Sequence, residues 1–291
     1  MRYLIIGANG QLGSDLVRVF REEDLIALTH DEIEICDIAS VRKALGRFAP
    51  DLVINTAAYH KVDICEDHAE EAFAVNALGV RNVALICREL NCALMHFSTD
   101  YVFDGRKAEP YVEDDMPSPL NAYGISKLAG ECFVRSLLDR YFILRTSGLF
   151  GVAGSSGKGG NFVETMLRLA GEGRALRVVD DQVLSPTYTL DLARQVRVLA
   201  SGEHFGLYHA TSHGACSWYE FAARIFELEG LAPDLSPQTT AESGSQAVRP
   251  AYSELHNLGL ERLGLDRMRP WEEGLADYLI ARRARGAEGQ S

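Results

Sequence analysis

The first thirteen residues, MRYLIIGANGQLG (Met1–Gly13), decide the fold. Tyr3–Ile6 is an apolar run of strand length that stops at a glycine. Gly7, Gly10 and Gly13 follow in quick succession, and from Gln11 to Glu22 the pattern turns helical. A strand that ends in a glycine triplet and opens a helix makes a tight turn, lets a pyrophosphate approach the backbone, and packs the helix closely on the strand. The helix start adds free N–H groups and partial positive charge for phosphates. Gly7, Gly10, Gln11, Leu12 and Gly13 are therefore expected to hold a dinucleotide.

Working outward, the same rhythm continues. Leu25–Leu28, Leu52–Asn55, Ala93–Ser98 and Phe142–Thr146 read as further strands, each ending in small or polar residues. Between them, Val41–Phe48, Ala69–Leu90 and Asn121–Asp139 read as helices. Near-continuous apolar strands separated by helices imply a parallel sheet covered on both faces. The expected fold is α/β: a Rossmann-type doubly wound sheet over residues 1–150, with ligands at the carboxyl ends of its strands. Residues 151–280 are expected to form mainly a smaller C-terminal substrate-binding lobe, with some segments returning to the core. This part opens with a glycine-rich stretch, Gly151–Gly160, read as a flexible linker or mobile loop, and continues with a helix at Asn161–Ala170 and a strand at Leu176–Val179. Residues 281–291 read as a frayed tail.

Composition excludes several classes. At 291 residues, 47% hydrophobic and 24% charged, the chain is ordinary globular protein. No apolar run reaches the roughly 18 residues of a membrane span, and the N-terminus does not resemble a signal peptide. A net charge of −12 argues against general affinity for nucleic acid. The cysteines (Cys36, Cys65, Cys87, Cys92, Cys132, Cys216) show no paired spacing, which points to free thiols in a reducing, cytoplasmic setting rather than zinc or disulfides.

The second strand, Leu25–Leu28, continues as Thr29-His30 with Asp31 and Glu32 slightly later, so neither an acid to bind an NAD ribose nor an Arg clamp stands at its tip. NADPH is therefore the expected cofactor, with NADH still open. Tyr123 and Lys127 stand four apart on one helix and project from one face. A tyrosine can donate a proton to a carbonyl under reduction if its acidity is tuned, and a nearby ammonium does this by stabilising the phenolate. Thr99, at the end of the fourth strand, would bring a hydroxyl into the same cleft.

With these residues in place the chain resembles the extended short-chain dehydrogenase/reductase superfamily, and within it the dTDP-4-dehydrorhamnose reductase family. The resemblance runs through GANGQLG, Asp37-Ile38, VINTAAYHKVD (Val53–Asp63), FSTDYVFDG (Phe97–Gly105), SPLNAYGISKLAGE (Ser118–Glu131), ILRTS (Ile143–Ser147), NFVETMLRLA (Asn161–Ala170), DQVLSPTYTLDLA (Asp181–Ala193), RPAYSEL (Arg249–Leu255) and Trp271. It implies reduction of the C4 ketone of a 4-keto-6-deoxy sugar nucleotide, with dTDP-4-dehydro-L-rhamnose as the expected substrate and dTDP-L-rhamnose as the product. Tyr123 would protonate the oxyanion, Lys127 would hold the nicotinamide ribose and lower the Tyr123 pKa, and Thr99 would bond the substrate oxygen. Asp37 and Ile38 would flank the adenine, and Ala57, Ala58 and Tyr59 the middle of the cofactor. Asp100, Asn161 and Arg249 would join Thr99 in binding substrate.

Three positions depart from the family pattern. Gly148 stands where members often carry a tryptophan. Asp15 and Asp191 are a partial set for the Mg²⁺ some members hold between subunits, so no metal is assigned. Val248-Arg249 replaces a double arginine. Lys158, in the glycine-rich stretch, is a candidate to close over the substrate diphosphate. Related epimerases and dehydratases share the Tyr-Lys pair, but the dehydratases follow their threonine with Asp-Glu, whereas this chain has Asp100-Tyr101. A non-catalytic role, like that of the regulatory subunit of methionine adenosyltransferase, would not require Thr99, Tyr123 and Lys127 together. The chain is expected to act as a monomer or homodimer.

Overall fold

The structure, a computed structural model, describes residues 1–153 and 160–288. Lys158 lies outside the described residues. The chain opens with β1 (Arg2–Ile6), α1 (Gln11–Val19), β2 (Asp24–Leu28), α2 (Ile38–Phe48) and β3 (Leu52–Asn55). Then come α3 (Val62–Asp67), α4 (Ala69–Phe73), a π-helical turn at Ala74–Gly79, α5 (Val80–Leu90), β4 (Ala93–Thr99), α6 (Ala122–Leu137) and β5 (Tyr141–Thr146). The lobe adds β6 (Leu149–Phe150), α7 (Phe162–Gly171), β7 (Leu176–Val179), β8 (Val183–Leu184) and β9 (Thr187–Tyr188). Next are α8 (Thr189–Ala200), β10 (Gly206–His209), β11 (Cys216–Ser217), α9 (Trp218–Glu229), β12 (Leu235–Gln238), α10 (Thr240–Ser243), α11 (Leu258–Arg262) and α12 (Trp271–Glu288). None of the described helices is long and apolar enough to cross a membrane.

The main sheet has six parallel strands in the order β10-β5-β4-β3-β1-β2. The alternation of β1 explains why its sequence looks uniformly apolar. Tyr3 and Ile5 join one core with Leu12 and Leu16 of α1 and Leu192 and Val196 of α8. Leu4 and Ile6 join a second core with Val41 and Leu45 of α2, Val80 and Val83 of α5 and Val134 of α6. Both faces of the strand are therefore dry, as in doubly wound sheets generally. Strand order reverses about β1, with β2 on one side and β3 on the other, and this places the ligand crevice at their carboxyl ends.

Two segments of the 151–280 part join the sheet region: β10 pairs with β5, and α8 packs against α1. The remainder of the lobe has its own core, built from Phe150, Tyr188, Phe221, Trp271 and Tyr278. Two sequence expectations need correction. The single helix expected over Ala69–Leu90 is interrupted by the π turn, because Asn76, fully buried there, serves neighbouring segments instead of the helix surface. It accepts from the Tyr59 amide at 2.8 Å and donates to the Tyr59 carbonyl at 2.8 Å and to Ser126 Oγ at 3.0 Å. The frayed tail expected from residue 281 is helical to Glu288, since Arg282 donates to Glu164 at 2.7 Å and Arg285 to the Val152 carbonyl at 2.7 Å.

Beneath the sheet's carboxyl end lies a buried ion pair. Arg145 of β5 donates to both carboxylate oxygens of Glu131 on α6 at 2.9 and 2.8 Å, and its guanidinium lies 5.1 Å from the Phe103 ring centre. Removing one partner of such a pair leaves a buried charge without compensation. Glu131→Gln should therefore cost about 3–5 kcal/mol, read as a lower urea midpoint at unchanged slope. Wild-type stability in that variant would show that the pair does not hold α6 to the sheet.

Candidate active site

A cleft of about 810 Å³ opens along the carboxyl ends of the strands. Its floor is the glycine turn. Gly7 has φ +82°, in the left-handed region where side chains are strained. A Cβ on Gly13 would stand 2.1 Å from the Gly7 carbonyl oxygen, so only glycine lets α1 approach this closely. Gly10, the residue before α1, has no side chain to cap the helix, so its first amides are left for a ligand. Gln11 then ties this floor to the lobe by donating to the Leu149 carbonyl at 3.1 Å and accepting from Asn161 at 3.2 Å.

One wall is made by Thr56–His60, which follow β3 and are held from behind by Asn76. Ala57, Ala58 and Tyr59 line the cleft, whereas Asp37 and Ile38 are not among its lining residues. The lining from that segment comes from Ile33–Cys36, one turn earlier, because Asp37 is engaged in starting α2, its carboxylate accepting from the Ala39 amide at 2.9 Å. Glu34 reaches the cleft but is turned back on its own loop, accepting from the Cys36 amide at 2.8 Å.

The opposite end of the cleft gathers Thr99, Tyr123 and Lys127. Thr99 closes β4. Tyr123 is the second residue of α6, whose start is fixed by Asn121 accepting from the Gly124 amide at 2.8 Å and donating to the Val248 carbonyl at 2.8 Å. Gly124 lets this helix end press on the turn after Thr99: a Cβ there would lie 2.2 Å from the Tyr101 carbonyl. The Tyr101 and Tyr123 rings meet edge to face at 5.9 Å. Lys127, 2% exposed, comes off the same face one turn later and donates to the Phe97 carbonyl at 2.6 Å.

The electrostatics depart from expectation. Burial, followed by the Asp100 carboxylate, pushes the Tyr123 phenol above its usual range, and hydrogen bonding with Thr99 opposes this. Lys127 is not among the groups that counter this rise, and it is itself desolvated: burial brings its ammonium down to about 8 against the pull of Glu131. The phenol is thus kept protonated.

Asp100 lines the cleft, yet its carboxylate is already taken. It accepts from Thr99 Oγ1 at 2.9 Å, Ser147 Oγ at 2.8 Å and Ser253 Oγ at 2.6 Å. Asn161 also lines the cleft; it starts α7 and donates to the Gly151 carbonyl at 3.0 Å and the Tyr278 hydroxyl at 3.2 Å. Arg249 is not on the cleft wall. Its guanidinium donates to Asp63 at 2.6 and 3.1 Å, beside Tyr101. Asp15 and Asp191, the partial metal set, are also engaged: Asp15 accepts from Thr189 at 2.5 Å and Asp191 from Arg269 at 2.8 Å.

Gly148, with φ +55°, opens the substrate side. A Cβ there would stand 2.8 Å from Leu184. Across the gap, Phe162 and Trp218, the first residues of α7 and α9, form an aromatic wall with ring centres 4.6 Å apart. Neither was singled out from the sequence. Both follow a helix-capping residue, Asn161 or Ser217, and that pairing of cap and aromatic was the available signal.

Comparison with known proteins agrees with this geometry. The family model described as the RmlD substrate binding domain matches residues 1–283. The spore coat polysaccharide biosynthesis protein SpsK of Bacillus subtilis is 44% identical over 97% of this chain and 98% of its own length. The dTDP-4-dehydrorhamnose reductase of Streptomyces griseus is 38% identical over 96% and 93%. A crystal structure of dTDP-4-dehydrorhamnose reductase from Bacillus anthracis in complex with NADP is 40% identical, with a TM-score of 0.92 over 96% of this chain and 99% of that one. The chain belongs to the dTDP-4-dehydrorhamnose reductase family of NAD(P)H-dependent oxidoreductases.

Proposed function

We propose that this chain reduces the C4 ketone of a 4-keto-6-deoxy sugar nucleotide, dTDP-4-dehydro-L-rhamnose in the first instance, with NADPH as reductant. The observation that carries the reading is the meeting of Thr99, Tyr123 and Lys127 in the same cleft as the glycine floor. The floor fits a dinucleotide: Gly7 and Gly13 leave a backbone surface that a Cβ would fill, and the uncapped start of α1 faces it. Bound there, a reduced nicotinamide supplies hydride to the ketone carbon.

The protein's own part is positioning and proton supply. With its proton turned from Asp100 to the ketone oxygen, the Thr99 hydroxyl would hold that oxygen beside the Tyr123 phenol, which is kept protonated by burial and so stands ready to donate. Lys127 would provide the positive charge that the phenolate needs once it forms, and would hold the ribose of a bound cofactor. Asp100 acts by holding Thr99, Ser147 and Ser253 in place instead of touching the sugar. NADPH is favoured because the tip of β2 carries no acid and Glu34 is occupied by the Cys36 amide; the NADP in the Bacillus anthracis relative supports this. Tyr101, tucked against Arg249, stands where a dehydratase would carry glutamate, which favours reduction over elimination.

The purified chain should consume NADPH, in preference to NADH, with a 4-keto-6-deoxy sugar nucleotide. Tyr123→Phe should lower kcat by about 10²–10⁴-fold with NADPH binding unchanged; full activity in that variant would overturn the mechanism. Because Lys127 is charged only below its lowered pKa, kcat/KM should fall as pH is raised through about 8. A profile level to pH ~10, where an unperturbed lysine titrates, would contradict this role for the ammonium. If the base or sugar stacks on the Phe162–Trp218 wall, Trp218→Ala should raise KM for the sugar nucleotide about tenfold, since such stacking contributes about 1–3 kcal/mol, and leave KM for NADPH unchanged. An unchanged substrate KM would remove the aromatic wall from the site.

A further inference from the structure

Outside the cleft, three side chains converge where the turn after β10 meets α11. His213 Nε2, a carboxylate oxygen of Glu261 and one of Asp266 all lie within 4.8 Å of one another. None of the three lines the cleft. Their spacing in the sequence gives no sign of a cluster; the fold assembles it.

The backbone holds these ligands before they meet. The His213 amide donates to the Arg269 carbonyl at 2.9 Å, and its carbonyl accepts from the Trp271 amide at 3.1 Å. Asp266 accepts from the Met268 amide at 2.9 Å and from Asn257 at 3.3 Å. Asn257 in turn donates to the Thr211 carbonyl at 2.8 Å. His213 Nε2 and Asp266 Oδ2 are 3.3 Å apart. Ligand atoms at about 2.0–2.1 Å from a tetrahedral zinc ion lie about 3.3 Å from each other, so this spacing suits two corners of a coordination shell. His256 Nε2 stands 2.9 Å from Glu261 Oε2, in position to orient that carboxylate from outside the shell.

We propose that His213, Glu261 and Asp266 bind one divalent transition-metal ion of the zinc class, with water completing the shell. An imidazole with two carboxylates suits such an ion better than calcium or magnesium, which prefer all-oxygen shells. Two carboxylates on a chain of net charge −12 gain from a divalent cation placed between them. The ion clasps the turn after β10 to α11 and to the segment entering α12.

The test uses the chelator-treated full chain and zinc alone. Calorimetric titration and thermal melting are followed for wild type, His213→Ala and Glu261→Gln. Wild type should bind one ion per chain and melt higher with zinc, and cobalt(II) in its place should give a visible absorption band. Both variants should bind at least about tenfold more weakly, lose the zinc-dependent rise and the cobalt band, and keep wild-type NADPH oxidation. Equal zinc affinity in wild type and His213→Ala, or no binding by wild type, overturns the proposal.

Discussion

The buried carboxylate of Asp100 is the constraint on which the site depends. It is 3% exposed and accepts three hydroxyl hydrogen bonds, from the end of β4 (Thr99), the exit of β5 (Ser147) and the lobe segment at Ser253. Burial raises its pKa and each of those hydroxyls pulls it back. The arrangement is self-consistent: the carboxylate is tolerated because the hydroxyls satisfy it, and they are fixed because the carboxylate is there. Through this single group the parallel sheet and the lobe agree on where Thr99 points.

The proton chemistry follows from burial more than from charge. A Tyr-Lys pair on one helix face suggests a phenol made acidic by its neighbour. In the structure both groups are desolvated, the phenol upward and the ammonium down to about 8. For a reductase this suits the direction of reaction, which needs a protonated donor at the start and a cation nearby once the proton has gone. The same desolvation makes Lys127 the group whose titration falls within an accessible pH range.

Much of this was legible in the sequence because it depends on local pattern. β1 to β5 announce themselves as short apolar runs ended by small or polar residues, and the glycine turn follows from Gly7, Gly10 and Gly13. Thr99, Tyr123 and Lys127 were readable from helix spacing and strand ends. What failed to show depends on distant partners. β10 is only four residues long, and its place beside β5 is set by packing. Asn76 sits in a π turn that no periodicity reveals. The partners of Asp37 and Arg249 were hidden too: Asp37 caps a helix start and Arg249 pairs with Asp63, a residue 186 positions away. The cluster at His213 is invisible without the fold.

Thr99, Tyr123 and Lys127 come from the sheet end and α6, whereas the Phe162–Trp218 wall comes from the lobe. The reaction type is also the claim most open to direct test. NADPH carrying deuterium on the transferable position of the nicotinamide should deliver the label to C4 of the sugar, one deuterium per product molecule. Product with hydrogen at C4, or label returned to the cofactor without net oxidation, would contradict the account.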